Sequence, residues 1–232
     1  MATARFDLNN LSTEGASVVT RLGSAVTSFK LGDRVFGIIP GNMGNYLRSP
    51  ASLVSKIPDE LSTDGAASMP VVHLTSIYAL KHLAGLAKGE SVLIQSATGG
   101  LGMAAIQLAQ SLGADIYATV GTDEKAKILV DEFGIPASHI FNSRKLSAVE
   151  DILKATKQKG LDVILSSSGG ELMHEMWRCI APLGHFIDVG RTDVLGGGKL
   201  GLEVFKKKKK LPFRRLIWAR SIDKNQALSP SK

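Results

Sequence analysis

From residue 71 onward, apolar and polar positions change period in regular alternation. Residues 71–83 carry apolar side chains at helical spacing, and Val92, Leu93 and Ile94 then form a short continuous apolar run of strand composition. The pattern predicts helix over 103–112, strand over 115–120, helix over 123–133, a short strand near 139–141 and helix over 147–157. It continues with strand over 162–165, helix over 171–180 and strand over 185–189. Strand and helix alternate five times, which predicts an α/β unit built on a doubly wound parallel sheet of five strands. The front of the chain reads differently. Residues 16–26 and 29–36 predict short strands joined by turns. Gly32-Asp33 is a hairpin signal, in which Asp33 is expected to bond nearby backbone. Pro40-Gly41-Asn42 opens a loop, residues 46–54 resume extended structure, Ser62 or Thr63 can cap a helix, and Met69-Pro70 interrupts it.

The strand at 92–94 runs into Ala97, Gly99 and Gly102, spaced A-x-G-x-x-G, and a helix follows. A dinucleotide-binding turn needs small residues at those three points, for the sharp turn, for close approach of backbone to a pyrophosphate, and for helix-on-strand packing. An ordinary strand-to-helix turn would also tolerate them, but the next strand and helix follow in the order that nucleotide binding requires. At the end of the strand over 115–120 an NAD site usually offers a carboxylate to the ribose 2′-hydroxyl; here Gly121-Thr122 precede Asp123, Glu124 and Lys125. Thr122 can cap the helix and the two acids suit its N-terminal dipole. Lys125, with Arg144 beyond the next short strand, can face a 2′-phosphate, which favours NADP over NAD.

Net charge is +7 over 232 residues, yet residues 199–232 carry net +9 and residues 1–198 net −2. The body therefore gives no electrostatic reason to expect nucleic acid. With 44% hydrophobic residues and no apolar run of membrane-span length, the composition is that of a globular, soluble, cytoplasmic protein without a membrane partner. The single cysteine, Cys179, reads as a buried structural thiol, and no thiolate cluster is available for zinc. His73, His82, His139, His174 and His185 fall into no metal or triad spacing and read as structural.

Several blocks in order, V-V-H-L-T-S-I-Y-A-L, G-E-S-V-L-I-Q-S-A-T-G-G-L-G, V-G-T-D-E-K-A, G-I-P-A-S-H-I-F-N-S-R and I-A-P-L-G-H-F-I-D-V-G-R-T-D, resemble the enoyl reductase domains of fungal highly reducing polyketide synthases. These belong to the medium-chain dehydrogenase/reductase superfamily, near the quinone oxidoreductases, and the resemblance covers roughly residues 14–205. It implies a Rossmann-like sheet preceded by a partial GroES-like β-rich domain, and NADPH-dependent reduction of the 2,3 double bond of an acyl-carrier-protein-bound enoyl thioester. It also implies other synthase domains as partners, with a homodimer as a candidate assembly. By the same resemblance Thr75 lies by the nicotinamide, although a hydroxyl bonding its own helix is an equal reading. Ala97, Thr98, Gly99, Gly100, Leu101 and Gly102 hold the pyrophosphate, Lys125 and Arg144 meet the 2′-phosphate, and Ser167, Val189 and Gly190 border the nicotinamide half. Arg191 stands where related bacterial domains have a lysine; it is a poor acid but a good electrostatic clamp. A quinone or enone reductase and a non-catalytic nucleotide-binding fragment are the alternatives.

The chain departs from that family in three ways. Only a short lead-in precedes the Glu14 segment, where complete members have further β-strands. Ser17 replaces a usual glycine, tolerable where the backbone is extended. Residues 201–207 still resemble the family, but beyond the lysines the sequence leaves its pattern, and the five-lysine run marks a place where an adenine-rich message slips, so residues from about Lys208 onward are expected to be out of frame; a solvated basic extension is the alternative. The expected division is 1–70 for the β-rich part, 71–198 for the nucleotide unit and 199–232 for the tail.

Overall fold

The computed structural model describes residues 12–41, 44–145, 147–167, 169–190 and 213–215. The chain divides between Thr75 and Ser76 into two compact units. In the first, β1 (Ser12–Val18), β2 (Arg34–Gly41) and β3 (Val54–Lys56) form an antiparallel sheet in that order. The first strand begins and ends earlier than the apolar run at 16–26 suggests, because its partner is β2, with Ala16 opposite Phe36 and Ser17 opposite Val35. Ser17 thus sits in an extended strand, where the missing glycine is not needed. Gly37 is different: a Cβ there would lie 2.1 Å from the Leu53 carbonyl oxygen, so β2 can pass beneath the 3-10 turn Ala51–Leu53 only as glycine.

Asp33 accepts from Lys30 N at 2.9 Å, as the hairpin signal predicts, and also from Lys56 Nζ at 2.8 Å on the end of β3. The Lys56 hydrogen bond, then the Lys30 amide, hold its carboxyl below the ordinary value. Helix α1 (Thr63–Ala67) is capped by Ser62, whose hydroxyl accepts from Gly65 N at 3.0 Å. Helix α2 (Pro70–Ser76) begins at the proline, and Glu14 Oε2 on β1 accepts from Val71 N in its first turn at 2.6 Å.

The second unit opens with a π-helical segment, Ile77–Leu83. It continues with β4 (Ser91–Ile94), α3 (Gly100–Leu112), β5 (Asp115–Val120), α4 (Asp123–Phe133), β6 (Ile140–Asn142), α5 (Ala148–Ala155), β7 (Leu161–Ser166), α6 (Gly170–Met176), β8 (Ile180–Asp188) and β9 (Phe213–Arg215). All neighbouring pairs are parallel, in the order β6-β5-β4-β7-β8-β9. Numbered from β4, this is the order 3-2-1-4-5-6 of a dinucleotide-binding sheet. One face packs Val92, Ile94, Ala118 and Leu165 against α3 and the π-helical segment. The other packs Leu93, Ile164 and Phe186 against α5 and α6, with Trp177 stacked on Phe186 at 4.6 Å.

The expected five strands are six. Phe-Arg-Arg at β9 lacks an apolar alternation of its own and is a strand because it lies beside β8, Phe186 facing Phe213 in register. It lies inside the segment expected to be out of frame. Strand β8 also starts at Ile180, earlier than the pattern at 185–189 suggests. Pro182 and a positive φ of 68° at Leu183 break the local signal, while pairing with β7 carries the strand through a register shift. Helix α5 ends at Ala155 because Lys157 and Gln158 turn left-handed, at φ 51° and 64°.

At the amino ends of β4 and β7, Asp162 Oδ2 accepts from both Ser91 N (2.8 Å) and Ser91 Oγ (2.7 Å), while Asp162 N donates back to Ser91 Oγ at 3.0 Å. Replacing Asp162 with alanine strips the Ser91 amide and hydroxyl of their acceptor together. Urea unfolding is expected to show a loss of about 1–3 kcal/mol, and Asp162→Asn, which keeps one acceptor, a smaller one.

Candidate functional site

The strand order reverses between β4 and β7, which leaves a crevice beyond their carboxyl ends. The chain leaves β4 through Gln95 and then Ser96, a non-glycine residue at φ 53°. Gly99 N closes the turn on Ser96 O at 2.8 Å, and α3 starts at Gly100 with no side chain capping it. Gly102 is indispensable to this turn: a Cβ would lie 2.5 Å from both the Ser96 and the Ala97 carbonyl oxygens. Ala97 is wholly buried, its amide tied to Thr119 O at 3.1 Å. The result is a tight turn feeding an uncapped thirteen-residue helix, whose first N–H groups and positive dipole end suit a pyrophosphate. Ala97, Thr98, Gly99, Gly100, Leu101 and Gly102 all lie in it.

Across the crevice, Ser167 follows β7 directly. Its hydroxyl donates to Ser96 Oγ at 3.1 Å and its amide to Gln95 Oε1 at 3.3 Å, which joins the ends of β4 and β7. Beyond β8, Val189 N donates to Ser166 O and Gly190 N to Asp188 Oδ1, each at 2.8 Å. Ser167, Val189 and Gly190 therefore stand together on the side of the crevice away from β5.

At the end of β5 the structure brings a cation over a glycine. Ser143 N bonds Val120 O at 2.8 Å and Arg144 N bonds Asn142 Oδ1 at 2.9 Å, and this turn sets the exposed Arg144 guanidinium against Gly121. A Cβ at Gly121 would meet Arg144 Nε at 3.1 Å. Thr122 accepts from Lys125 N at 3.4 Å as the cap of α4, and a hydrogen bond to Thr122 is the main reason the Glu124 carboxyl titrates below its ordinary value. Lys125 is exposed in the first turn of α4. No carboxylate occupies the end of the strand itself.

Thr75 belongs to the first unit, 4% exposed, and donates to Val71 O at 2.5 Å on its own helix. Arg191 lies outside the described residues. Cys179 is buried, Sγ 3.7 Å from Val149 O. His73 Nδ1 sits 3.0 Å from Met69 O, and His139 stacks on Tyr117 at 4.1 Å. Among the described residues no three of His, Cys, Asp and Glu come together to hold a metal. An open hollow of about 1100 Å³ lies within the first unit, lined among others by Val18, Phe29, Val35, Ile39 and Tyr46; none of the predicted nucleotide residues lines it. Sequence reading missed Gln95, Ser166 and Asp188, which are buried and scattered over three strands.

Comparison with known proteins bears on the family and the fold. The family model described as zinc-binding dehydrogenase matches residues 100–222, a stretch that passes the lysine run and includes β9. The highly reducing polyketide synthase xilA of Penicillium crustosum is 51% identical over 207 residues, which are 89% of this chain and 8% of that protein. The chain therefore spans only a small fraction of that relative's length. Among solved structures, CurK enoyl reductase superposes with a TM-score of 0.79 at 33% identity, over 88% of this chain and 59% of that one. The nucleotide-binding subdomain of the enoylreductase domain of PpsC from Mycobacterium tuberculosis is 37% identical with a TM-score of 0.57, over 68% of this chain and 83% of that one.

Proposed function

We propose, for a chain that belongs to the zinc-binding dehydrogenase family and within it to the enoyl reductase domains of polyketide synthases, NADPH-dependent reduction of the 2,3 double bond of a carrier-bound enoyl thioester. The observation that carries the cofactor reading is Arg144 laid over Gly121 where an NAD site would place a carboxylate, beside the uncapped start of α3.

When bound, NADPH supplies a hydride from its nicotinamide to the β-carbon of the thioester. The chain's own residues bind and orient. The first-turn amides of α3 hold the pyrophosphate, and Gly99 and Gly102 let it approach the backbone. Arg144 and Lys125 take the 2′-phosphate as charge-assisted donors. Ser167, Val189 and Gly190 border the nicotinamide half. Arg191 acts as an electrostatic clamp rather than an acid, since a guanidinium does not give up its proton near neutral pH. These roles are those of the chain's own residues. The partners under this reading are an acyl carrier protein and further polyketide synthase domains, in the cytoplasm.

The test is a fluorescence titration of the 232-residue chain with NADPH, followed by addition of a crotonyl thioester. Saturable binding and then thioester-dependent NADPH oxidation are expected. Absence of binding overturns the nucleotide reading, and binding without oxidation reduces the protein to a nucleotide-binding fragment.

A further inference from the structure

Ile94 on β4 stands in register with Ala118 on β5 and with Leu165 on β7, and Leu165 with Ile187 on β8. One residue further along these strands come Gln95, Thr119, Ser166 and Asp188, the last two themselves in register. In a parallel sheet such residues lie on one face, side by side. Two residues earlier on that face the row is Leu93, Tyr117, Ile164 and Phe186, all in the core beneath α5 and α6. The apolar face therefore ends, at the crevice, in a polar row. It is no surface feature: Gln95 is 4% exposed, Thr119 1%, Ser166 0% and Asp188 1%.

A buried polar row is costly compared with four apolar side chains, and a buried carboxylate most of all. Its members are committed to the lip of the crevice. Gln95 Oε1 takes the amide of Ser167, Asp188 Oδ1 takes the amide of Gly190, and the Thr119 main-chain oxygen takes the amide of Ala97. These are the first residue after β7, the second after β8, and the third after β4. The Ser166 hydroxyl, in the middle, finds no partner among the described residues. On β9, Arg215 holds the register position next to Asp188.

We propose that Gln95 and Asp188 are positioning residues: from beneath the crevice they fix the direction of the Ser167 and Val189–Gly190 segments against which the nicotinamide half of the nucleotide lies. This rests on the nucleotide reading of the crevice and adds to it residues that lie behind its lining. The row exchanges folding stability for a fixed lip, so its removal affects binding more than folding.

The experiment compares the full chain with Asp188→Ala, Asp188→Asn and Gln95→Leu in two measurements: thermal unfolding with amide hydrogen exchange of the nucleotide-free chain, and NADPH titration. Asp188→Ala and Gln95→Leu are expected to speed exchange at Gly190 and Ser167 respectively and to weaken NADPH roughly tenfold, a larger effect than the accompanying change in melting temperature. Asp188→Asn, which keeps an acceptor for Gly190 N, restores slow exchange and affinity to within about threefold. Unchanged exchange and affinity in Asp188→Ala and Gln95→Leu would overturn the proposal, as would a lowered melting temperature with unchanged affinity. If Asp188→Ala does not fold, Gln95→Leu and the exchange of Ser167 decide. If the parent chain binds no NADPH, the nucleotide reading falls, while exchange at the two amides still tests the row.

Discussion

Substituting Gly102 with alanine is expected to abolish useful nucleotide binding. The added Cβ would sit 2.5 Å from two carbonyl oxygens, those of Ser96 and Ala97, and 2.6 Å from the Ala97 carbonyl carbon. All three are backbone atoms of the turn itself, so no side chain can swing away to make room. Ala97 is wholly buried among the apolar residues that pack α3 on the sheet, and its amide is held by Thr119 O, so the turn cannot slide outward without breaking β4 from β5. The helix must instead lift away from the strand, which moves its first amides off the pyrophosphate. A loss of roughly a hundredfold in NADPH affinity, about 3 kcal/mol, is expected by titration, with a lowered melting temperature from the disturbed packing. Gly99→Ala is the graded control. Its Cβ would lie 3.2 Å from Ser96 O, tight but within reach of a small adjustment, and the expected loss is several-fold smaller.

The second large effect concerns which nucleotide is taken. Gly121→Asp is expected to reverse the preference from NADPH to NADH. A Cβ there would lie 3.1 Å from Arg144 Nε, so the arginine must shift to make room, and the new carboxylate faces the ribose where an NAD site has one. Arg144→Ala and Lys125→Ala separate the two contributions. Each should weaken NADPH roughly tenfold and leave NADH nearly unchanged, since both side chains are exposed and solvent screens part of their attraction. Titration at rising salt provides the internal check. The NADPH-to-NADH affinity ratio of the parent chain should fall with ionic strength, whereas that of Arg144→Ala should fall less. A ratio indifferent to all three substitutions would remove Arg144 and Lys125 from the site.

How far the sequence reveals this molecule depends on how local each signal is. Strand β5 and helix α4 fall on the expected residues because their punctuation lies within a few positions: Thr122 caps the helix and Gly134, at φ 64°, ends it. The A-x-G-x-x-G turn is legible for the same reason, since its steric demands are met within six residues. Signals that depend on a distant partner are not legible. β1 reads as S-T-E-G-A-S-V and is a strand because β2 lies beside it; β9 owes its extended form to β8. The residues beneath the crevice are the extreme case. Gln95, Thr119, Ser166 and Asp188 look unrelated along the chain, and only the parallel register reveals them as one row. Cys179 is simpler, since a lone thiol among apolar neighbours has only burial to explain it.

The pairing of β8 with β9 bears on how the chain can be shortened. Without Phe213–Arg215, the hydrogen-bonding edge of Phe186, Ile187 and Asp188 would have no strand beside it. The strand next inward carries Ile164 and Leu165 beside Phe186 and Ile187, so the newly bared edge would be ready to template a foreign strand. Cutting at the lysine run is therefore expected to raise the tendency to aggregate, which light scattering of the shortened and full chains would read.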